Sequence, residues 1–159
     1  MIYLDRGATT LETPPAGARA MAQAVGEMSS PGRGNYPASQ KAARTAYDCR
    51  EAAAELFHVP VPEQVIFTCN ATHGLNIAIR TLVRPGCRVA VSGYEHNAVT
   101  RVLHSIPGVE IMVADAPLFR PEQTLEGFRT ALRWGVDAVI CNHVSNVFGC
   151  VQPVEELAG

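Results

Sequence analysis

Three short segments of the sequence carry polar side chains of types that bind ligands or move protons. Residues 67–76 read Phe-Thr-Cys-Asn-Ala-Thr-His-Gly-Leu-Asn, residues 93–99 contain His96, and residues 142–149 contain Asn146. Lysine is scarce by comparison, since Lys41 is the only one among 13 basic residues. Any chemistry that needs a side-chain amine therefore has one candidate in these 159 residues.

Residues 67–76 have the composition of a strand-to-helix junction that holds an anion. Backbone N–H groups at a helix start are unpaired and lie at the positive end of the helix dipole, so a phosphate fits there, with the Thr72 hydroxyl as a further donor. The segment lacks GxGxxG and a GK[ST] ending, which argues against a dinucleotide site or a P-loop. The alternative is an ordinary helix cap made by Asn70 or Thr72, and the segment by itself favours that alternative.

The other two segments offer side chains suited to an aromatic ligand. His96 presents a flat, titratable ring that could stack on such a ligand or relay a proton, and its alternative role is to cap a helix. Asn146 could donate a hydrogen bond to a ring oxygen, although a single asparagine in a loop is more often a turn residue. Each assignment stays open when its segment is considered alone.

Composition bounds the class of protein. With 47% apolar residues, 159 residues suffice for the core of one domain, and a net charge of −2 with 18% charged residues gives no basic face for nucleic acid. The first residues given lack a basic stretch followed by an apolar run, and no apolar run reaches about 18 residues, so neither export nor membrane insertion is expected. The five cysteines form no CxxC pair, which argues against zinc or a disulfide framework and predicts reduced thiols in a cytoplasmic protein.

Alternating elements should bring the three segments together. Helices are predicted over residues 15–28, 38–57, 72–83, 98–104 and 122–133, with another starting near 153, and strands over 64–69, 88–92, 109–114 and 136–142. A glycine- and proline-rich loop is expected over 29–37. Apolar strands separated by helices indicate an α/β protein with a mainly parallel sheet flanked by helices. Ligands of such sheets bind at the carboxyl ends of the strands, where all three segments would lie.

The motifs also resemble a known family when they are taken in order. Residues 3–10 (Tyr-Leu-Asp-Arg-Gly-Ala-Thr-Thr), the 67–76 segment, residues 95–99 (Glu-His-Asn-Ala-Val) and residues 143–149 (His-Val-Ser-Asn-Val-Phe-Gly) are similar to motifs of the cysteine desulfurases and their relatives. These belong to the class V aminotransferase group of fold-type I pyridoxal-phosphate (PLP) enzymes. The resemblance implies an N-terminal arm over 1–13 and, over 14–159, the N-terminal part of an incomplete PLP-binding large domain.

The resemblance assigns roles to particular residues. It places the PLP phosphate at Ala71, Thr72 and the backbone of His73, stacks His96 on the cofactor ring as a catalytic residue, and directs Asn146 to the phenolic oxygen. Three departures from the family pattern are present. Arg6-Gly7 replaces Asn-Ala, Ala71 stands where many relatives have a hydroxyl, and Tyr36 stands where relatives often have histidine.

By the same resemblance, the intact protein is expected to be a homodimeric lyase or transferase that releases sulfur from L-cysteine to an acceptor protein. Its Schiff-base lysine, its ring-nitrogen acid, its substrate-binding arginine and its catalytic cysteine would fall beyond Gly159, while Lys41 is expected to be a surface charge. The chain is thus expected to be a truncation, a fragment or half of a split enzyme, inactive alone. Alternatives are an aminotransferase, a selenocysteine lyase-like enzyme, or a noncatalytic binding or assembly piece.

Overall fold

The computed structural model describes Leu11 and residues 13–159. Contacts divide the chain into two compact units, Met1–Phe67 and Thr68–Gly159. The predicted arm over 1–13, with the motif at residues 3–10, lies almost entirely outside the described residues.

The first unit contains two helices joined by a turn-rich loop. Helix α1 spans Pro15–Glu27 and helix α2 spans Pro37–Leu56, each with proline in its first turn. Proline is favoured there because that N–H needs no partner within the helix. The buried Ser39 near the start of α2 donates its hydroxyl to the Ser30 carbonyl oxygen at 3.0 Å, which ties the loop to the helix. The predicted helices and loop are therefore confirmed to within one residue.

The large apolar side chains at the C-terminal end of α2 are exposed, not buried. Ser39 and Ala54 are the buried residues of α2, whereas Leu56 is 71% exposed and Phe57, which caps its end, is 72% exposed. Helical periodicity determines which side chains share a face, while burial needs a second layer of structure to pack against. For Leu56 and Phe57, the part of the chain that the structure describes does not supply that layer.

The second unit is a three-layer α/β arrangement. Strands β1 (Arg88–Ser92), β2 (Glu110–Ala114) and β3 (Ala138–Ile140) form a parallel sheet in the order β2-β1-β3. Residues Arg88 to Ser92 pair with Glu110 to Ala114, and Val89 to Val91 pair with Ala138 to Ile140. Four helices accompany the sheet: α3 (Ala71–Leu82), α4 (Asn97–His104), α5 (Pro121–Trp134) and α6 (Val154–Ala158). The predicted α/β class with a parallel sheet and flanking helices is confirmed.

Central strand β1 is buried on both faces because its side chains alternate. Val89 and Val91 belong to one apolar cluster with residues of α3 and α4, and Ala90 belongs to a second cluster with Phe128 of α5. A period of two sends consecutive residues of a strand to opposite faces. The continuous apolar run of β1 therefore follows from helices that cover it on both sides.

Helix α5 approaches β2 very closely at Gly127. A methyl group at this position would come within 3.0 Å of the Ala114 side chain and 3.1 Å of the Ala114 Cα. Two small residues at the crossing let the helix and strand backbones pack together, which places Phe128 directly under the sheet.

Two of the four predicted strands differ from the structure. Residues 64–69 form no strand, because Pro62–Gln64 is a single 3-10 turn and the segment after it has no regular structure. Ile66 is 69% exposed and Phe67 is 52% exposed, and no strand among the described residues pairs with them. A strand requires a neighbour for its N–H and C=O groups, and an apolar run does not by itself provide one. The predicted strand over 136–142 is reduced to Ala138–Ile140.

None of the helices in the described part of the chain combines the length and apolarity needed to cross a membrane.

Candidate functional site

The start of α3 is capped by its own sequence. The Asn70 side-chain oxygen accepts a hydrogen bond from the His73 backbone N–H at 2.8 Å, and the Thr68 hydroxyl donates to the Asn70 carbonyl oxygen at 2.9 Å. The alternative role considered for Asn70, that of an N-cap, is therefore correct. Capping leaves other donors available: within the described chain, the backbone N–H groups of Ala71 and Thr72 and the Thr72 hydroxyl donate to no acceptor.

The start of α4 is capped by His96. Its Nδ1 accepts the Ala98 backbone N–H at 3.0 Å, so the neutral ring carries its proton on Nε2. The His96 side chain is exposed, and Nε2 has no partner among the described residues. Capping and ligand binding use different nitrogens, which means that both roles considered for this residue are compatible.

Helices α3 and α4 enclose a groove of about 360 Å³, called here the α3–α4 groove. Its lining residues are Thr72, Asn76, Arg80, His96, Asn97, Ala98, Arg101, Val102 and Ser105. This volume lies at the lower end of the range for small-molecule sites, about 300–1,000 Å³. Two arginines and no carboxylate line the groove, although the chain as a whole has a net charge of −2. Its charge therefore favours an anionic ligand.

The third polar segment, residues 142–149, forms most of a small hairpin over 143–152. Val144 and Val151 make an antiparallel bridge, and the backbone N–H of Ser145 donates to the Cys150 carbonyl oxygen at 3.0 Å. Ser145 is buried, whereas Asn146 at the turn is exposed. An edge-on contact between the rings of Tyr94 and Phe148, with centroids 5.9 Å apart, links the hairpin to the loop before His96.

The structure thus brings Thr72 and His96 together on one groove. Ala71 and His73 flank Thr72 at the start of α3, and Asn146 is not among the residues that line the groove. The His73 N–H, assigned to a phosphate by resemblance, is occupied by the Asn70 cap in this structure.

The family of the chain follows from comparison with known proteins. The sequence model described as Aminotransferase class-V matches residues 2–159. The chain belongs to this family. A probable cysteine desulfurase from Synechocystis is 23% identical over 99% of the chain, and one from Methanothermobacter thermautotrophicus is 29% identical over 98%. The cysteine desulfurase IscS of Vibrio vulnificus is 30% identical over 98% of the chain.

Solved structures show the same fold for this class V chain. A C-DES variant with glycine covalently linked to its PLP cofactor aligns with a TM-score of 0.70 at 20% identity, over 91% of the chain and 39% of that protein. The complex of the cystine C-S lyase C-DES with cysteine persulfide gives a TM-score of 0.71 at 20% identity. The chain spans about two fifths of the length of the relatives that it matches, 39% for the two probable desulfurases.

Sequence reasoning assigned no role to five polar residues that line the groove of this class V chain: Asn76, Arg80, Asn97, Arg101 and Ser105. A signal for two of them was present, because Thr72, Asn76 and Arg80 recur every four residues and so share one face of α3. The Arg80 guanidinium donates to the Ser105 hydroxyl at 2.8 Å, which joins the two helices at the far end of the groove. That pairing depends on the packing of α3 against α4.

Lys41, the one lysine of the sequence, lies on an exposed surface of the first unit. Its ammonium group forms an ion pair with Glu27, and its side chain is 42% exposed. Hydrogen bonding to Lys41 lowers the pKa of Glu27. The expected surface position of Lys41 is what the structure shows.

We expect Cys141 to react more slowly with alkylating reagents than the exposed thiols Cys49 and Cys69. Burial, reinforced by the nearby negative charge of Glu95, raises the pKa of Cys141 from 9.0 to about 11. Since the thiolate is the nucleophile, a rise of two units lowers its thiolate fraction about 100-fold at neutral pH. Iodoacetamide at pH 7.5 followed by peptide mapping should label the exposed Cys49 and Cys69 well before Cys141. Labelling of Cys141 at their rate would contradict this assignment.

Proposed function

We propose that the chain is the N-terminal part of a PLP-dependent, cysteine desulfurase-like enzyme that releases sulfur from L-cysteine. The observation that carries the proposal is the α3–α4 groove, where the start of one helix and the capping histidine of the next face a cleft lined by arginine. The proposal draws further support from membership of the class V family and from the desulfurase names of the relatives. The intact protein is here the longer polypeptide to which this chain would belong.

The donors at the start of α3 fit a phosphate group. Two backbone N–H groups, at Ala71 and Thr72, and the Thr72 hydroxyl lack acceptors within the described chain, and they lie at the positive end of a 12-residue helix. Arg80 and Arg101 add positive charge along the same groove. A phosphate that also used the His73 N–H would share it with the Asn70 side chain or replace that cap.

The remaining assignments concern the ring of the cofactor. Bound PLP supplies an electron sink for bonds broken at the substrate α-carbon. His96 would contact the ring face, and because Nδ1 is fixed by the Ala98 N–H, it would exchange protons through Nε2. Asn146 would donate its side-chain amide to the phenolic oxygen. Lys41 would form no Schiff base, since it is paired with Glu27 on an exposed face.

Turnover of L-cysteine by the intact protein tests this function. We expect PLP-dependent release of sulfide in the presence of a thiol reductant, with one alanine formed per sulfide. Transfer of the amino group to a keto acid without sulfide would indicate an aminotransferase, and preference for selenocysteine would indicate a selenocysteine lyase-like enzyme. Reversible PLP binding with no turnover would favour a noncatalytic binding piece. Borohydride reduction should leave Lys41 unlabelled in every case.

The cellular setting and partners of the protein follow from the same proposal. All five cysteines are free thiols, which supports a reducing, cytoplasmic location. Resemblance to the cysteine desulfurases also supports a homodimer and a protein that accepts the released sulfur.

A further inference from the structure

Glu95 joins two strand ends through one carboxylate oxygen. Its Oε1 accepts the Ser92 hydroxyl at 2.6 Å and the Asn142 backbone N–H at 2.6 Å. Ser92 is the last residue of β1 and is 2% exposed, and Asn142 lies two residues after the end of β3. Both bonds are short, as expected when the acceptor is charged.

This carboxylate continues the connection between β1 and β3 beyond the end of the sheet. Backbone pairing of the two strands stops at Val91 and Ile140, so the Asn142 N–H has a side chain, not a strand, as its partner. A second bond runs in the opposite direction, from the Asn142 side-chain amide to the Tyr94 carbonyl oxygen at 3.4 Å. The loop over 93–96 and the end of β3 are therefore held to each other from both sides.

The loop held in this way carries His96, and the segment that follows Asn142 is the 143–152 hairpin with Asn146. Gly93 in the same loop packs so closely on Asp115 that a methyl group there would lie 2.8 Å from the carboxylate oxygen. Together with the ring contact between Tyr94 and Phe148, this close approach restricts the path of the loop. Glu95 belongs to this loop, and its carboxylate accepts hydrogen bonds from the last residue of β1 and from Asn142.

We propose that Glu95 is the positioning residue of the cofactor site, holding the His96 loop and the Asn142 end of β3 in the geometry that lets both segments contact one ligand. The inference rests on the proposed function, because the ligand in question is PLP. Glu95 acts through its neighbours and makes no contact of its own with the ligand. Its negative charge also explains part of the raised pKa of the adjacent Cys141.

Cofactor binding and hydrogen exchange in the intact protein test this role. In Glu95→Gln the amide oxygen can still accept, but without charge, so we expect apo thermal stability near that of the unsubstituted protein and a PLP dissociation constant about tenfold higher. Glu95→Ala leaves the Ser92 hydroxyl and the Asn142 N–H without an acceptor and should bind PLP more weakly still. Glu110→Gln, at the exposed start of β2, is the matched control and should bind PLP normally.

Amide exchange distinguishes failure of this inference from failure of the proposed function. In apo Glu95→Gln we expect faster exchange at Asn142 and over 143–150, with α5 unchanged. Unchanged exchange at Asn142, or unchanged PLP affinity in Glu95→Gln, would overturn the positioning role. Failure of the unsubstituted protein to bind PLP would overturn the proposed function, and with it the assignment of PLP as the positioned ligand. A loss of PLP affinity matched by a core variant of equal stability outside the groove, such as Ile79→Val, would also count against Glu95.

Discussion

Turnover of L-cysteine by the intact protein should fall by about 100-fold or more when His96 is replaced by alanine, since a positioned acid or base contributes about 10²–10⁴-fold. The imidazole is exposed on the α3–α4 groove with Nε2 available, so it is the titratable group best placed to exchange a proton there. Loss of its ring should also weaken PLP binding about fivefold, because aromatic contacts contribute about 1 kcal/mol. Steady-state kinetics and fluorescence titration with PLP measure the two effects.

Two further variants at this position separate its roles. His96→Asn keeps a side-chain acceptor for the Ala98 N–H and removes the ring, whereas His96→Phe keeps a ring and removes both the acceptor and the proton. We expect the smaller loss of PLP affinity in His96→Phe, which keeps a ring. We expect the smaller loss of helix stability in His96→Asn, which keeps the acceptor for the Ala98 N–H. His104→Ala, on the exposed last turn of α4, is the matched control. Equal kinetics in His96→Ala and His104→Ala would refute a catalytic role for His96.

Phe128→Ala should destabilise the 159-residue chain by about 3–5 kcal/mol, the usual loss when a buried phenylalanine is truncated. Phe128 is 1% exposed and packs in a cluster whose other buried members, Ala90, Ala114 and Ala131, are all too small to fill the space it leaves. This loss is a large part of a typical total stability of about 5–15 kcal/mol. Urea denaturation followed by circular dichroism measures the change.

The control for Phe128 lies on the same helix. Leu132 is 57% exposed on α5, so Leu132→Ala should change stability by no more than about 0.5 kcal/mol. The difference between the two changes in unfolding free energy measures the effect of burial under the sheet, since both substitutions place alanine in the same helix. Comparable losses at both positions would mean that α5 does not pack on the sheet as described.

Parts of the candidate site were predictable because their signals are local. The N-cap at Asn70 and the capping role of His96 both require only atoms within three residues of the capping side chain. The assignments of Thr72, His73, His96 and Asn146 to PLP came from motif resemblance and stay predictions. What the sequence could not provide was the groove itself, since Arg80 and Arg101 lie on different helices and share it only through helix packing.

Local sequence determined the helices and the central strand of this protein. Proline begins α1, α2 and α5, and the apolar run of β1 is buried within the bounds predicted for it. Tertiary structure decided which other apolar runs became strands: Ala138 to Ile140 pairs with β1, while Ile66 and Phe67 find no partner strand. It also decided that the Glu95 carboxylate accepts the Asn142 N–H. The physical reason is the same in each case, since strand pairing and hydrogen bonds between distant residues depend on atoms that only folding brings within reach.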